Sequence, residues 1–176
     1  MNRQGIHKLV QLALLTAAAA VLFVFESLVP LPLPWMRLGL ANAVTLIVIA
    51  WWGAKEATVL VIARVFIGAF LLGRFLDPGF FLALGGGLAS AWAMAFFARY
   101  FSRIWGCVGI SIWGALAKNA AQLGLISVFY MRSAAVFNLA GIFIFFSLAA
   151  GLLTGLAALF FLRRFPGSGI RRFSAF

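Results

Sequence analysis

The chain alternates long apolar runs with short polar or proline-containing breaks, and these breaks set the lengths of its predicted elements. A helix needs about 20 apolar residues to cross the hydrocarbon core of a bilayer. The pattern predicts six such helices. Only residues 53–56 separate the short second and third ones, which form a tight hairpin unless one of them is tilted or partly re-entrant. The predicted helices cover residues 8–29, 38–52, 57–72, 79–97, 105–128 and 135–162.

Composition indicates that these helices lie in a membrane. Of the 176 residues, 65% are hydrophobic and 10% are charged, and the mean hydropathy is +1.13. Three acidic residues, Glu26, Glu56 and Asp77, are too few to give a soluble domain of this length a polar surface. We therefore predict an all-α integral membrane protein with one transmembrane domain over residues 1–176. The apolar run of the N-terminus exceeds the usual length in a signal peptide and lacks a cleavage site, so we expect a retained first span.

The net charge of +11 comes from cations scattered between the apolar runs, a distribution that argues against a nucleic-acid-binding stripe. Cytoplasmic ends of membrane spans carry an excess of Lys and Arg. With the N-terminus inside, nine cations lie on the cytoplasmic side and three outside, so both termini are predicted to be cytoplasmic, with residues 163–176 as a basic tail. The nine are Arg3, Lys8, Lys55, Arg99, Arg103, Arg163, Arg164, Arg171 and Arg172, and the three are Arg37, Arg74 and Arg132.

Two further cations lie in the middle of predicted spans. A charge at the bilayer centre costs about 2.5 to 3.5 kcal/mol, so each needs a partner, a cavity or a ligand. Arg64 is central in the third helix and Lys118 in the fifth, with Gln122 one turn further on and Asn119 about 100° around the helix. Glu26 is the one carboxylate deep enough to pair with either cation. Either Glu26 forms an ion pair that locks helices together, or the surplus cation binds an anionic or strongly polar ligand, or Lys118 is neutral through desolvation.

The segment ESLVPLPLPWMRLGLAN, residues 26–42, joins the first two predicted helices. Its three prolines cannot continue a helix but can form a stiff extended connection. We predict that this segment caps or gates an outward-facing pocket, with Arg37 at its mouth and Glu26 as either a counter-ion or a ligand contact. The candidate substrate-binding residues are Glu26, Arg37, Arg64, Lys118, Asn119 and Gln122.

Small residues recur at every fourth position in three predicted helices. This spacing lets helices approach closely in lipid, either within one chain or between subunits. Packing within the chain and docking onto another membrane subunit both remain open. The residues are Ala13 and Ala17 in the first helix, with Ala20 beside them, Gly86 and Gly87 in the fourth, followed four positions on by Ser90 and Ala91 and preceded by Gly85, and Ser147, Gly151 and Gly155 in the sixth.

Several kinds of chemistry lack their sequence signatures. No GxxxxGK[ST] phosphate loop occurs, which excludes ATP hydrolysis by that mechanism. The three acidic residues are far apart in sequence and cannot build a two-metal site on their own. Cys107 is the only cysteine, and His7, the only histidine, lies at the predicted cytoplasmic edge. We therefore predict no catalytic residue, no metal site and no cofactor.

Three stretches together resemble a known family: ESLVPLPLPWMRLGLAN, ARVFIGAFLLGRFLDPGFFLALGGGLAS and GALAKNAAQL. They are similar to the Gx transporter family, whose members are often labelled heptaprenyl diphosphate synthase component I. That family is related to the substrate-binding S components of energy-coupling factor (ECF) transporters. Lys118 stands where the family tends to have a histidine, so the family's substrate behaviour does not carry over at that position.

The resemblance implies a compact six-helix protein of the prokaryotic plasma membrane. Such a protein would bind a small molecule from the outer side, anionic or related to isoprenoids or quinones, and would work with a coupling membrane subunit and two ATPases. Ala13, Ala17 and Ala20 are similar to the helix face by which S components dock on the coupling subunit. A prenyl diphosphate synthase would need aspartate-rich metal motifs, and Asp77 is the only aspartate here.

Three hypotheses follow. The leading one is a substrate-binding subunit of an importer. The second is a non-catalytic accessory subunit of polyprenyl diphosphate or menaquinone biosynthesis, or of a membrane electron-transfer assembly. The third is an intramembrane enzyme acting on a lipid diphosphate, with Arg64 and Lys118 as an electrostatic clamp. We expect no turnover by the isolated chain.

Overall fold

A computed structural model describes residues 3–28, 39–129 and 140–165, and these residues form helices joined by short connections. No strand occurs within these three ranges. Most of the proline segment, with Arg37, and the end of the predicted basic tail lie outside the described residues. The helices are α1 (Arg3–Leu28), α2 (Leu40–Trp51), α3 (Ala54–Leu71), α4 (Pro78–Tyr100), α5 (Ser102–Phe129) and α6 (Ala140–Arg164).

Several helices extend beyond their predicted ends because charged residues end a hydrophobic run without ending a helix. Arg99 lies in the last turn of α4, and Arg163 and Arg164 lie in the last turn of α6. Cations at these positions face the negative end of the helix dipole and stabilise the final turn. α6 therefore continues two residues past its predicted end, into the predicted tail over 163–176. α5 begins at Ser102, earlier than predicted, and contains a break at Gly106 (φ 61°, ψ 178°), a backbone conformation that favours glycine.

α2 is the central helix of the fold. Every residue from Ala41 to Ala50 is buried, and α2 contacts each of the other five helices. Its sequence, LANAVTLIVIAW, is apolar on almost all sides, which is typical of a helix without a solvent or lipid face. With 12 residues it is about 18 Å long, shorter than the hydrocarbon core of a bilayer. The other helices surround it in the order α1, α3, α4, α5, α6.

Three of the helices are long and apolar enough to cross a membrane, over Gly5–Leu28, Pro78–Tyr100 and Ile144–Arg164. Large apolar side chains cover their outer faces, among them Leu14 at 65% and Phe160 at 77% exposure. α3 and α5 carry charged or polar residues along their lengths, and α2 is short. An apolar exterior of this kind needs lipid or another apolar subunit around it, and the fold is that of a helical membrane protein.

The two ends of the bundle differ in charge. Lys8 donates a hydrogen bond to Glu56, so the starts of α1 and α3 lie at the same end. The end of α2 and the junction of α4 with α5 border one cleft at this end, beside Arg99. We call this the basic end, defined by Lys8, Lys55 and Arg99. The α3–α4 connection, with Arg74, lies at the opposite end.

Candidate functional site

Glu26 binds the start of the central helix. It lies in the last turn of α1 and is 3% exposed. Its Oε2 accepts a hydrogen bond from the backbone N–H of Gly39, and its Oε1 accepts one from the N–H of Ala41, both at 3.1 Å. The first N–H groups of a helix have no partner within the helix, and a carboxylate there also faces the positive end of the helix dipole. Gly39 is the N-cap, with φ of 81°, which favours glycine. Glu26 therefore caps α2 from another helix.

Asn42, one turn into α2, connects two further helices. The Arg64 Nη2 of α3 donates to Asn42 Oδ1 at 2.8 Å, and Asn42 Nδ2 donates to Ser90 Oγ of α4 at 3.2 Å. All three side chains are buried. Sequence reasoning did not include Asn42 or Ser90 among the site residues. The available signal was a single amide in a helix that is otherwise apolar on nearly every side.

Gln122 and Lys118 reach the same region from α5, one turn apart. Gln122 is 2% exposed, and its Nε2 donates to the carbonyl oxygen of Leu82 on α4 at 3.4 Å. A carbonyl oxygen only accepts, so this contact fixes which side of the amide carries the NH₂ group. Gln122 Oε1 is buried and has no hydrogen-bond donor among the described residues. Lys118 is 9% exposed.

These side chains line one cavity, which we call the polar cavity. It lies near the end of the bundle opposite the basic end, and its volume is about 20 Å³, room for roughly one water molecule. Its walls include two cationic side chains and one carboxylate, with small residues between them. Four of the six predicted binding residues meet here. The polar lining residues are Glu26, Asn42, Arg64, Lys118 and Gln122, and the small ones are Gly39, Ala41, Ala83 and Gly87.

Asn119, another of the predicted binding residues, is not among the residues that line the described cavity. Asn119 Nδ2 donates to Ser147 Oγ of α6 at 2.6 Å, on a different side of α5 from Lys118. Adjacent residues on a helix point about 100° apart, which separates Asn119 from its neighbour. Arg37 lies outside the described residues.

The glycine triplet of α4 allows the close approach that forms the cavity wall. A Cβ at Gly86 would lie 2.9 Å from Cγ of Gln122, and one at Gly87 would lie 2.9 Å from Cγ1 of Val61 and 3.6 Å from Arg64 Nη2. α3 and α5 therefore contact α4 on two sides where side chains are absent. These glycines serve packing within the chain.

The small residues of α6 serve the same purpose. A Cβ at Gly151 would lie 2.6 Å from the Cα of Ile112, and one at Gly155 would lie 2.8 Å from the Cα of Val108. Two hydroxyls on these helices also bond, since Ser111 Oγ and Thr154 Oγ1 are 2.7 Å apart. Small residues that allow backbones to meet, with hydrogen bonds across the interface, are typical of helix packing in membranes.

The predicted docking residues of α1 divide into two groups. Ala13 and Ala17 are exposed, whereas Ala20 is 3% exposed and packs inside the bundle. A docking surface on this helix can therefore include the first two and not the third in the described conformation.

A second, more open cavity of about 440 Å³ lies at the basic end. Its lining includes Ile49, Gly53 and Ala54 at the junction of α2 and α3, and Arg99 and Ser102 at the junction of α4 and α5. None of the predicted site residues within the described ranges borders it. In the described part of the chain, no three His, Cys, Asp or Glu side chains come together as a metal site would require. What the polar cavity offers chemically is hydrogen bonding and positive charge.

The fold and the polar cavity define a helical membrane protein with a buried polar site near one end of its bundle. The sequence profile of the family described as heptaprenyl diphosphate synthase component I matches residues 15–161. The chain belongs to this family, which confirms the label given by the resemblance. No curated protein matches the chain, and no solved structure matches it. The words "component I" imply association with a further component.

Proposed function

We propose that the chain is the substrate-binding membrane subunit of an importer, similar to the S component of an ECF transporter, and that the polar cavity is its substrate site. The observation that carries this proposal is the composition of the cavity. Two cations, Arg64 and Lys118, and one carboxylate, Glu26, line it, and both oxygens of that carboxylate accept backbone N–H groups of α2. Among the described lining residues positive charge is in excess, which favours an anionic ligand.

The polar cavity is too small to hold a substrate in the described conformation. Sites for drug-sized molecules have volumes of about 300 to 1,000 Å³, far above the roughly 20 Å³ here. The described conformation is therefore a closed one, and the site has to widen to admit a substrate. We propose that it widens toward the end opposite the basic end, which faces the outside of a prokaryotic plasma membrane.

The proposed orientation has six membrane spans with both termini in the cytoplasm. The positions of Lys8, Lys55 and Arg99 at one end support it, since cytoplasmic ends carry the excess of cations. We further propose that a coupling membrane subunit, joined to ATPase subunits, docks on α1. The exposed Ala13 and Ala17 offer a close approach there.

Two measurements on full-length protein test the proposal. Mass spectrometry of protein purified in mild detergent should detect a copurifying small anion. When the chain is reconstituted with coupling and ATPase subunits, uptake of that molecule should fall at least about tenfold in Arg64→Ala and in Lys118→Ala. A tenfold fall corresponds to a loss of about 1.4 kcal/mol of binding free energy. Arg74→Ala is the matched control, because Arg74 is exposed in the α3–α4 connection. The proposal fails if nothing copurifies, or if wild type and both buried-cation variants take up the copurified molecule equally.

The family name favours a second candidate function. "Component I" implies a partner component, which fits a non-catalytic accessory subunit of polyprenyl diphosphate synthesis. This candidate predicts stable copurification with a prenyl diphosphate synthase and no small molecule in the polar cavity. Solute movement by the chain with coupling and ATPase subunits alone would count against it.

A further inference from the structure

Gln122 supplies the one acceptor in the polar cavity that the described chain leaves without a donor. The amide orientation is fixed by Leu82, whose carbonyl oxygen must face the NH₂ group. The tight contact between Gly86 and the Gln122 side chain, where a Cβ would lie 3.2 Å from Nε2, places the NH₂ group on the α4 side. Oε1 is the other half of the amide, and the residue is 2% exposed, so bulk water does not satisfy it.

A buried acceptor of this kind discriminates between ligands. A site built to hydrogen-bond a hydroxyl disfavours the analogue that lacks it, because the acceptor then loses this donor in a cavity with room for only about one water molecule. We propose that the ligand of the polar cavity is a small polar anion that also carries a hydroxyl, with its anionic group toward Arg64 and Lys118 and its hydroxyl donating to Gln122 Oε1. This inference rests on the proposed function and narrows its substrate class.

The walls of the cavity favour such a ligand over an isoprenoid. Phe23 is the one large apolar residue among the described lining residues. The remaining apolar positions are small, at Gly39, Ala41, Ala83 and Gly87. A polyprenyl tail needs an extended apolar surface, which these positions do not form in the described, closed conformation. A hydroxy acid or a phosphorylated polyol has the required combination of negative charge and hydroxyl donor.

Matched pairs of anions test the proposal on the purified full-length chain. Lactate is compared with propionate, and glycerol 3-phosphate with propyl phosphate, because the members of each pair differ in their hydroxyl groups. We expect the wild type to bind the hydroxylated member of at least one pair about tenfold more tightly, measured by titration calorimetry. Gln122→Met, which removes the acceptor at similar volume, should bring that ratio close to one while the non-hydroxylated anion still binds. Gln11→Met is the control, since Gln11 is exposed on α1.

The outcomes separate this inference from the proposed function. Equal affinities within each pair, or a preference that survives in Gln122→Met, overturn the role of Gln122 and leave the importer proposal standing. Absence of binding of all four anions to the wild type also overturns the inference, while the copurified molecule decides the importer proposal independently. If Gln122→Met does not fold, the wild-type comparison still decides whether the site prefers a hydroxyl.

Discussion

Glu26→Gln tests whether the buried carboxylate of Glu26 holds the start of α2. The substitution keeps the shape of the side chain but leaves one acceptor oxygen for two backbone N–H groups, which Glu26 now binds at 3.1 Å each. Losing a cap costs about 1 kcal/mol. A buried donor left without a partner costs about 1 to 3 kcal/mol. We therefore expect Glu26→Gln to destabilise the protein by about 2 to 4 kcal/mol. Glu26→Ala should cost about 3 to 5 kcal/mol, as in a buried pair that loses one partner.

The single cysteine provides the assay. Cys107 lies in α5 and is 1% exposed, so a thiol-reactive dye added during a temperature ramp labels it only on unfolding. For a chain of this size we expect Glu26→Gln to lower the Tm by roughly 4 to 16 °C. Glu56→Gln is the matched control, because its ion pair with the 44%-exposed Lys8 side chain should be worth less than about 1 kcal/mol. A Tm for Glu26→Gln within about 1 °C of wild type would refute the assignment of Glu26 as the cap of α2.

Two further predictions concern packing and pH. Gly86→Ala should lower the free energy of unfolding by about 1 to 3 kcal/mol, since its Cβ would meet the buried Gln122. Gly124→Ala has open space around it and should raise the free energy of unfolding by up to about 1 kcal/mol. The same dye assay measures both. Burial raises the pKa of Glu56, but the hydrogen bond and charge of Lys8 outweigh burial and leave this pKa below its usual 4.5. A lowered carboxylate pKa contributes stability above pH 4.5 that is lost as the pH falls below that value, so the Tm difference between wild type and Glu56→Gln should vanish in acid. A difference that persists or grows there would contradict the ion pair.

The helices were predictable because the thickness of the bilayer sets the length of an apolar span. Their ends were less predictable, because a charged residue can lie outside the hydrocarbon core and still be part of the helix. The central position of α2 follows from its neighbours and not from its own length. Its nearly uniform apolar character was the available sign. The short length that suggested a tilted or re-entrant segment belongs to a helix that other helices surround on all sides.

The charged residues of the candidate site were predictable from sequence, because burying a charge in a membrane is costly. That cost identified Arg64, Lys118 and Glu26, and helical spacing added Gln122, all of which line the polar cavity. Asn119 shared the sequence motif but bonds Ser147 on another side of its helix. Neutral polar residues such as Asn42 carry a smaller penalty, so their role becomes visible only when the partners Arg64 and Ser90 are positioned around them.

Sequence reasoning left two roles open for Glu26, counter-ion or ligand contact, and its hydrogen bonds in the closed cavity favour the first. Both of its oxygens accept hydrogen bonds from the start of α2, so a ligand contact would require Glu26 to release one of these N–H groups. An anionic ligand would gain nothing from that exchange, because it would meet a carboxylate at close range in a buried site. Glu26 is therefore expected to hold α2 and offset one of the two cations, Arg64 and Lys118. With Arg64 and Lys118 against one carboxylate among the described lining residues, the lining has a net positive charge, and this charge favours an anion.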